Sequence, residues 1–256
     1  METVSQEKML RDCYQALFRA WGPQHWWPAR TRFEVIVGAY LTQNTSWINV
    51  EHALLRLRSA GVLSVVGIRR TPGPKLEALI RSAGYFRQKA RRLKTFVTFL
   101  DERYGGSLKQ MFAQPSEKLR AELLALNGIG PETADSILLY AGNRPVFVVD
   151  TYTRRILERH GIVTANARYE EIRLLFERTL ASGASTKVVR VSSMKPLVEI
   201  NTAHRPSPMS TSRRSALVQV YNEMHGLIVG VAKHYCLKSH PRCDGCPLQR
   251  FLPNAG

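Results

Sequence analysis

The chain is short of acid. Its 256 residues carry 20 Asp and Glu against 37 Lys and Arg, a formal net charge of +17 with neutral histidine. Such an imbalance excludes an acidic solvating chain and points to a polyanionic partner, because Lys and Arg contacts to phosphate release counterions. Charge by itself does not separate DNA from RNA or from an acidic membrane surface. No apolar run approaches the length of a membrane span, and METVSQEKMLRDC lacks the apolar stretch of a secretory signal. Cysteine is scarce too: Cys13, Cys236, Cys243 and Cys246. Three of the four cluster, which favours a metal site or thiols in a reducing cytosol over a disulfide framework. Tryptophan is absent after position 47. What remains, at 44% hydrophobic residues, suits one or two globular domains with real cores.

The most informative stretch is LNGIGPETADSILLYAGNRPVFVVDTYT, residues 126–153. Ser116 after Pro115 reads as an N-cap, and Leu119, Leu123, Leu124 and Leu126 follow at helical spacing. Asn127-Gly128-Ile129-Gly130 breaks that helix. Pro131 suits the first position of a second helix, whose apolar stripe is Ala134, Ile137, Leu138 and Ala141. Backbone N–H groups at the start of such a helix bind phosphate without reading bases. Twenty residues after Gly130, the apolar run Val146-Phe147-Val148-Val149 ends on Asp150. That run reads as extended chain rather than as part of a sheet. Asp150 is at once a candidate catalytic carboxylate and a cap for a helix from Thr151 to His160, which Gly161 ends.

Elsewhere the chain reads as helical. Leu10, Tyr14, Leu17 and Trp21 form one apolar face, and Phe33, Ile36, Val37, Tyr40 and Leu41 another.

LNGIGPETAD followed by VVDTYTRR resembles the helix-hairpin-helix DNA glycosylase superfamily, in its endonuclease III branch. FEVIVGAYLTQNTSW (33–47), LIRSAGYFRQKARRLKTF (79–96) and YCLKSHPRCDGCPL (235–248) resemble further stretches of that family in the same order. The resemblance implies an all-α fold of two helical domains with a DNA-binding cleft between them. A six-helix domain would span 32–143 and carry the hairpin, while residues 1–31 would pack with 144–256. It implies double-stranded DNA with a damaged base as partner, a monomer without membrane attachment, and a bacterial-type cytoplasmic, nucleoid-associated location.

The resemblance also implies roles. Asp150 matches the aspartate that stabilises positive charge on the deoxyribose as the N-glycosidic bond breaks. Gln43 matches the glutamine that fills the gap left by the extruded nucleotide. Asn127, Gly128, Ile129 and Gly130 would hold the DNA backbone, with a monovalent cation at the hairpin. Lys89 belongs to a basic run, with Arg91, Arg92 and Lys94, that would contact phosphate or form a solvated face. The endonuclease III pattern has a catalytic lysine where this chain has Glu132. Glutamate offers no amine for a Schiff base, so removal of a base by water is expected, with Glu132 catalytic, pocket-forming or a helix-start residue. This exchange and Trp26-Trp27-Pro28 resemble the 3-methyladenine glycosylases of the endonuclease III type. Trp26 and Trp27 would then hold a cationic alkylated purine between aromatic faces, or lock the N-terminal segment to the core. A bifunctional glycosylase/lyase and a non-catalytic DNA-binding protein are the alternatives.

Cys236, Cys243 and Cys246 match the family's iron–sulfur spacing, but the fourth position holds Leu252. The candidates are a [4Fe-4S] cluster with a non-cysteine fourth ligand or with Cys13, a zinc site using His234 or His240, or a metal-free loop. Residues 182–216, rich in Ser, Thr and Pro with six basic residues and one acid, depart from the family. They read as a largely disordered insertion, either a non-specific DNA arm or a neutral segment.

Overall fold

A computed structural model of the chain describes residues 2–184 and 203–253. Among these residues the structure is helical and contains no strand. The backbone divides into two compact units: residues 29–144, and residues 1–28 together with 145–256.

The 29–144 unit contains α2 (Arg32–Leu41), α3 (Trp47–Ser59), α4 (Val65–Arg70), α5 (Gly73–Leu79), α6 (Phe86–Tyr104), α7 (Leu108–Phe112), α8 (Ser116–Leu124) and α9 (Pro131–Ser136). A π-helical turn, Ile137–Ala141, continues α9. The central helix is α2, whose residues from Phe33 to Leu41 are all buried. It packs against α3, α6, α9 and the π turn. Its start is a Thr-x-x-Glu box. Thr31 Oγ1 accepts from Glu34 N at 3.1 Å, and the Glu34 carboxylate turns back to Arg30 N at 3.0 Å. Each such cap stabilises a helix by about 1 kcal/mol. Glu34 is itself buried and is held by the Arg58 guanidinium.

Around the hairpin, Pro131 opens α9 as expected, and Ala134, Ile137, Leu138 and Ala141 are fully buried. Leu119 and Leu123 are buried, while Leu124 and Leu126 are half-exposed. The cap of α8 is Pro115 rather than Ser116, which is already helical. Proline's fixed φ and missing N–H suit it to a helix start.

The second unit contains α1 (Glu2–Trp21), α10 (Thr151–Arg159), α11 (Tyr169–Ala184) and α12 (Ala216–His234). Helix α1 packs on α11 and α12, and α10 and α11 each pack on α12. Residues 146–149 lie outside any helix or strand and are all buried. Two of their backbone donors are met by side chains: Phe147 N by Glu177 Oε1 at 2.9 Å, and Val149 N by the Tyr169 hydroxyl at 3.4 Å. The Phe147 ring stacks on Phe176 at 4.0 Å and meets Tyr221 edge-on at 5.7 Å. Burying one such ring contributes about 2 to 3 kcal/mol.

The expectation that 182–216 is largely disordered needs correction at both ends. Residues 182–184 close α11, and residues 203–215 form an ordered loop; residues 185–202 lie outside the described part. His204 N donates to Gln24 O at 3.0 Å, and Ser207 Oγ to Trp27 O at 3.4 Å. Ser207 and Ser210 cap each other, with Ser207 N on Ser210 Oγ at 2.9 Å and Ser210 N on Ser207 Oγ at 3.1 Å. The serines that suggest disorder by composition instead close a turn.

Candidate active site

The hairpin lies in the 29–144 unit. Gly128 sits at φ +83°, a conformation that side chains resist, and a Cβ there would come within 1.9 Å of Arg92 Nε. The Arg92 guanidinium therefore lies directly against the turn. It also donates to Gln43 Oε1 at 2.8 Å. The other end of that amide, Gln43 Nε2, donates to Gly128 O at 2.9 Å and to Thr133 Oγ1 at 3.0 Å. Gln43 is thus turned into the hairpin, and its three bonds fix which end is oxygen. Gly128 O therefore already accepts one hydrogen bond, from Gln43. Asn127 and Gly130 are exposed, and Ile129 anchors the turn with a buried side chain. Glu132 is exposed in the first turn of α9, where a carboxylate suits the helix dipole.

Lys89 is not where the sequence puts it. Only 1% of it is exposed, and its ammonium donates to Leu41 O (2.8 Å), Gln43 O (2.7 Å) and Ala83 O (2.8 Å). All three protons are used, so none is left for phosphate. Burial and the nearby Arg92 charge pull Lys89 down to about 8, while the three carbonyls favour its charged form. The ammonium ties the loop after α2 to the loop before α6. Lys94 is also turned inward, donating to Arg69 O at 3.0 Å and Thr71 O at 2.5 Å. Beside Ala83 stands Tyr85, 68% exposed and at φ +45°, which the sequence reading passed over. A large exposed aromatic in a left-handed backbone conformation was the structural signal.

Asp150 lies in the other unit, as the N-cap of α10. Oδ1 accepts from Thr153 N at 2.7 Å and from Thr153 Oγ1 at 2.8 Å. Oδ2 lies 3.5 Å from His225 Nε2, on α12. The Asp150 side chain is 13% exposed. Burial acts to raise its pKa, but His225 and the two Thr153 bonds outweigh it and hold the carboxyl below the ordinary aspartate value. It is therefore a carboxylate kept ionised with little water around it. Trp26 and Trp27 are both buried, so neither presents an open face as expected of a base-holding wall. The Trp26 ring stands 5.1 Å from the His204 ring and 6.0 Å from that of His225.

The cysteine loop follows α12. Cys236 is buried, and Cys243 and Cys246 are partly so. Burial raises the Cys246 thiol, and the neighbouring Cys243 and Cys236 raise it further. Cys13 on α1 is pushed up to about 12, first by burial and then by Asp12, with Cys246 adding to it and Arg250 opposing. The four thiols thus share one neighbourhood. Yet among the described residues no group of three or more His, Cys, Asp or Glu side chains is arranged to hold a metal ion, and His234 and His240 are exposed. As arranged, these residues do not fit a four-ligand group. Arginines of α10 close the loop instead: Arg155 Nε on Cys236 O (2.8 Å), and Arg159 on Leu237 O (2.6 Å), Lys238 O (2.8 Å) and Cys236 Sγ (3.2 Å). No helix among the described residues is long and apolar enough to cross a membrane.

Residues 37–182 match the family described as HhH-GPD superfamily base excision DNA repair protein. The chain is 40% identical over 246 residues to a candidate DNA repair glycosylase of Methanocaldococcus jannaschii, covering 95% of this chain and 96% of that one. It is 26% identical over 229 residues to the mouse endonuclease III-like protein 1, covering 89% of this chain and 62% of the mouse protein. Among solved structures it is similar to the Helicobacter pylori 3-methyladenine DNA glycosylase MagIII bound to 1,N6-ethenoadenine. That match has a TM-score of 0.71 and 28% identity, over 91% of this chain and 99% of that one. A trapped endonuclease III–DNA intermediate, at 20% identity and TM-score 0.71, shares the fold. A glycine hairpin, a capped and ionised aspartate twenty residues beyond it, and a family match over more than half the sequence together place the chain: it belongs to the HhH-GPD superfamily of base excision repair proteins and is a DNA glycosylase of that superfamily.

Proposed function

We propose that the protein removes an alkylated purine from duplex DNA by hydrolysis, with Asp150 as the carboxylate at the reacting sugar. The observation that carries this reading is the state of Asp150: nearly out of water, pinned at Oδ1 by Thr153, and held ionised. The glycosidic C1′–N bond breaks with its electron pair passing to the base, and positive charge develops on the deoxyribose. A fixed carboxylate stabilises that charge more in the transition state than in the ground state. Water then adds at C1′ and gives up a proton, for which Asp150 is the nearby acceptor. The products are the free base and an abasic site.

The DNA partner is held by the hairpin at Asn127, Gly128 and Gly130, with Tyr85 as a further contact. Gln43 enters the vacated gap by exchanging its bonds to Gly128, Thr133 and Arg92 for bonds to the DNA. Glu132 supplies no amine, and Lys89 has its ammonium committed to three carbonyls. Base removal without strand cleavage is the reading that follows. The alkylated-purine assignment is supported by the similarity to the MagIII protein. No step is routed through the cysteine loop.

The test is a glycosylase panel on duplexes carrying alkylated, oxidised and mismatched bases, with alkali added to reveal abasic sites. Alkylated purines should be excised far faster than uracil or thymine glycol, and borohydride should trap no covalent complex. Robust thymine glycol excision with none on alkylated purine would overturn the substrate, and efficient trapping would overturn the hydrolytic route.

A further inference from the structure

Helix α12 is buried on nearly every side from Tyr221 to Ala232, and a histidine in the middle of such a helix requires an account. His225 is 4% exposed. Its ring is set among aromatics, with Phe147 edge-on at 6.3 Å and Trp26 edge-on at 6.0 Å. Its Nε2 is directed at Asp150 Oδ2, the oxygen that Thr153 leaves uncovered. The neighbouring residues of α12 dock the tryptophan segment on either side of this histidine. Glu223 Oε2 accepts from Gln24 N at 2.6 Å. At Gly226 a Cβ would come within 2.9 Å of Gln24 Cβ and 3.1 Å of Trp26 Cβ, so only glycine admits that close approach. One turn of helix thus sets Trp26 and Asp150 about a single imidazole.

We infer that His225 is a positioning residue for the glycosylase reaction: it orients and anchors Asp150 through Oδ2, as Thr153 does through Oδ1, and its ring is kept in place by Trp26 and Phe147. The inference rests on the reading of Asp150 given above. A carboxylate pinned at one oxygen only can still turn about its Cβ–Cγ bond. Pinned at both, it meets the sugar in one orientation, and preorganisation of that kind is worth more in rate than in binding. At 3.5 Å the contact is long, as such contacts are before substrate closes a site.

The experiment uses the full chain, a duplex carrying the lesion that wild type excises fastest, and single-turnover rates beside DNA affinity. The variants are His225→Phe, which keeps an aromatic ring against Trp26 and Phe147, His225→Gln, which keeps a donor, and Asp150→Asn. His225→Phe should slow excision by roughly 10- to 100-fold, the scale of one hydrogen bond to a charged group, with DNA affinity within about twofold. His225→Gln should recover most of that loss. A purely packing role predicts the reverse order, with Phe tolerated and Gln not, and that result would overturn the inference. So would wild-type rates in both variants while Asp150→Asn is inactive. Full activity of Asp150→Asn would instead overturn the reading of Asp150 itself. If either variant melts much earlier than wild type, unfolding of the two single variants and of His225→Phe/Asp150→Asn gives a coupling energy between the pair. Coupling near zero would also overturn the inference.

Discussion

Two charges held largely out of water, Lys89 in one unit and Asp150 in the other, are treated differently. Lys89 has three protons and three carbonyls, all at 2.7 to 2.8 Å. Asp150 has two short bonds on one oxygen and a single long contact on the other. A carboxylate has about four acceptor positions, so Asp150 keeps capacity that Lys89 lacks. A buried charge whose partners are all satisfied belongs to the architecture, while one held ionised with acceptor capacity left over can act on a ligand. The two units are alike in how cations tie their loops down. The loops around Lys89 are tied to each other through an ammonium, and the cysteine loop is tied to α10 through Arg155 and Arg159.

The sharpest way to break the comparison is to remove each charge in turn. Asp150→Asn should reduce excision by roughly 1,000-fold while DNA affinity stays close to wild type; the melting temperature should fall only modestly at neutral pH, since asparagine still caps a helix but the stability from the ionised form is lost. An equal loss of affinity would put Asp150 among the architectural charges. Lys89→Met should do the opposite. It strands three carbonyls and should destabilise the protein by about 3 kcal/mol in urea unfolding, because unmet buried acceptors are costly. If stability is unchanged and only DNA binding falls, the ammonium reaches phosphate after all. Gly128→Ala should cost about 1 to 2 kcal/mol, from the positive φ and from displacing Arg92. It should also weaken DNA binding, because Arg92 holds Gln43 in the hairpin.

The comparison can also be sharpened by pH. The folded pKa of Asp150 lies below its unfolded value. Its ionised form therefore adds stability above the unfolded value of about 4, and that contribution is lost as pH falls through the folded value. In Asp150→Asn the acid side of the stability curve should be flatter than in wild type. The smallest effect concerns the thiols. Iron and zinc in purified protein should be well below one per chain, and Cys13→Ala should read as loss of a small core side chain, about 1 kcal/mol. Stoichiometric iron that disappears with Cys13→Ala would show that the loop rearranges to bring four thiols together.

How far the sequence revealed these features depended on whether a residue's role is local. The hairpin was legible because glycine, proline and a stripe of Ala134, Ile137, Leu138 and Ala141 each act within a turn or two. The capping of α10 by Asp150 was legible for the same reason. Lys89 was misread as part of a basic run, although its spacing to Leu93, Phe96 and Leu100 puts it on the buried face of α6. Charge overrode periodicity there. His225 left no trace beyond being a buried-face histidine in a long helix, because its partner Asp150 lies 75 residues earlier in the chain. The serines at 207 and 210 look the same in composition whether they face water or close a turn.

Lys89 bears on how such a protein searches. A glycosylase meets undamaged sites vastly more often than damaged ones, and every meeting that froze a floppy loop would lose conformational freedom. Here the loop bearing Gln43 and the loop leading to Tyr85 share one ammonium and are already immobilised. On the proposed reading the probing loop is tied down before it arrives, so inspecting a sound base pair need order no loop, and the exchange of the Gln43 side chain's bonds is reserved for the rare site where a nucleotide leaves the stack.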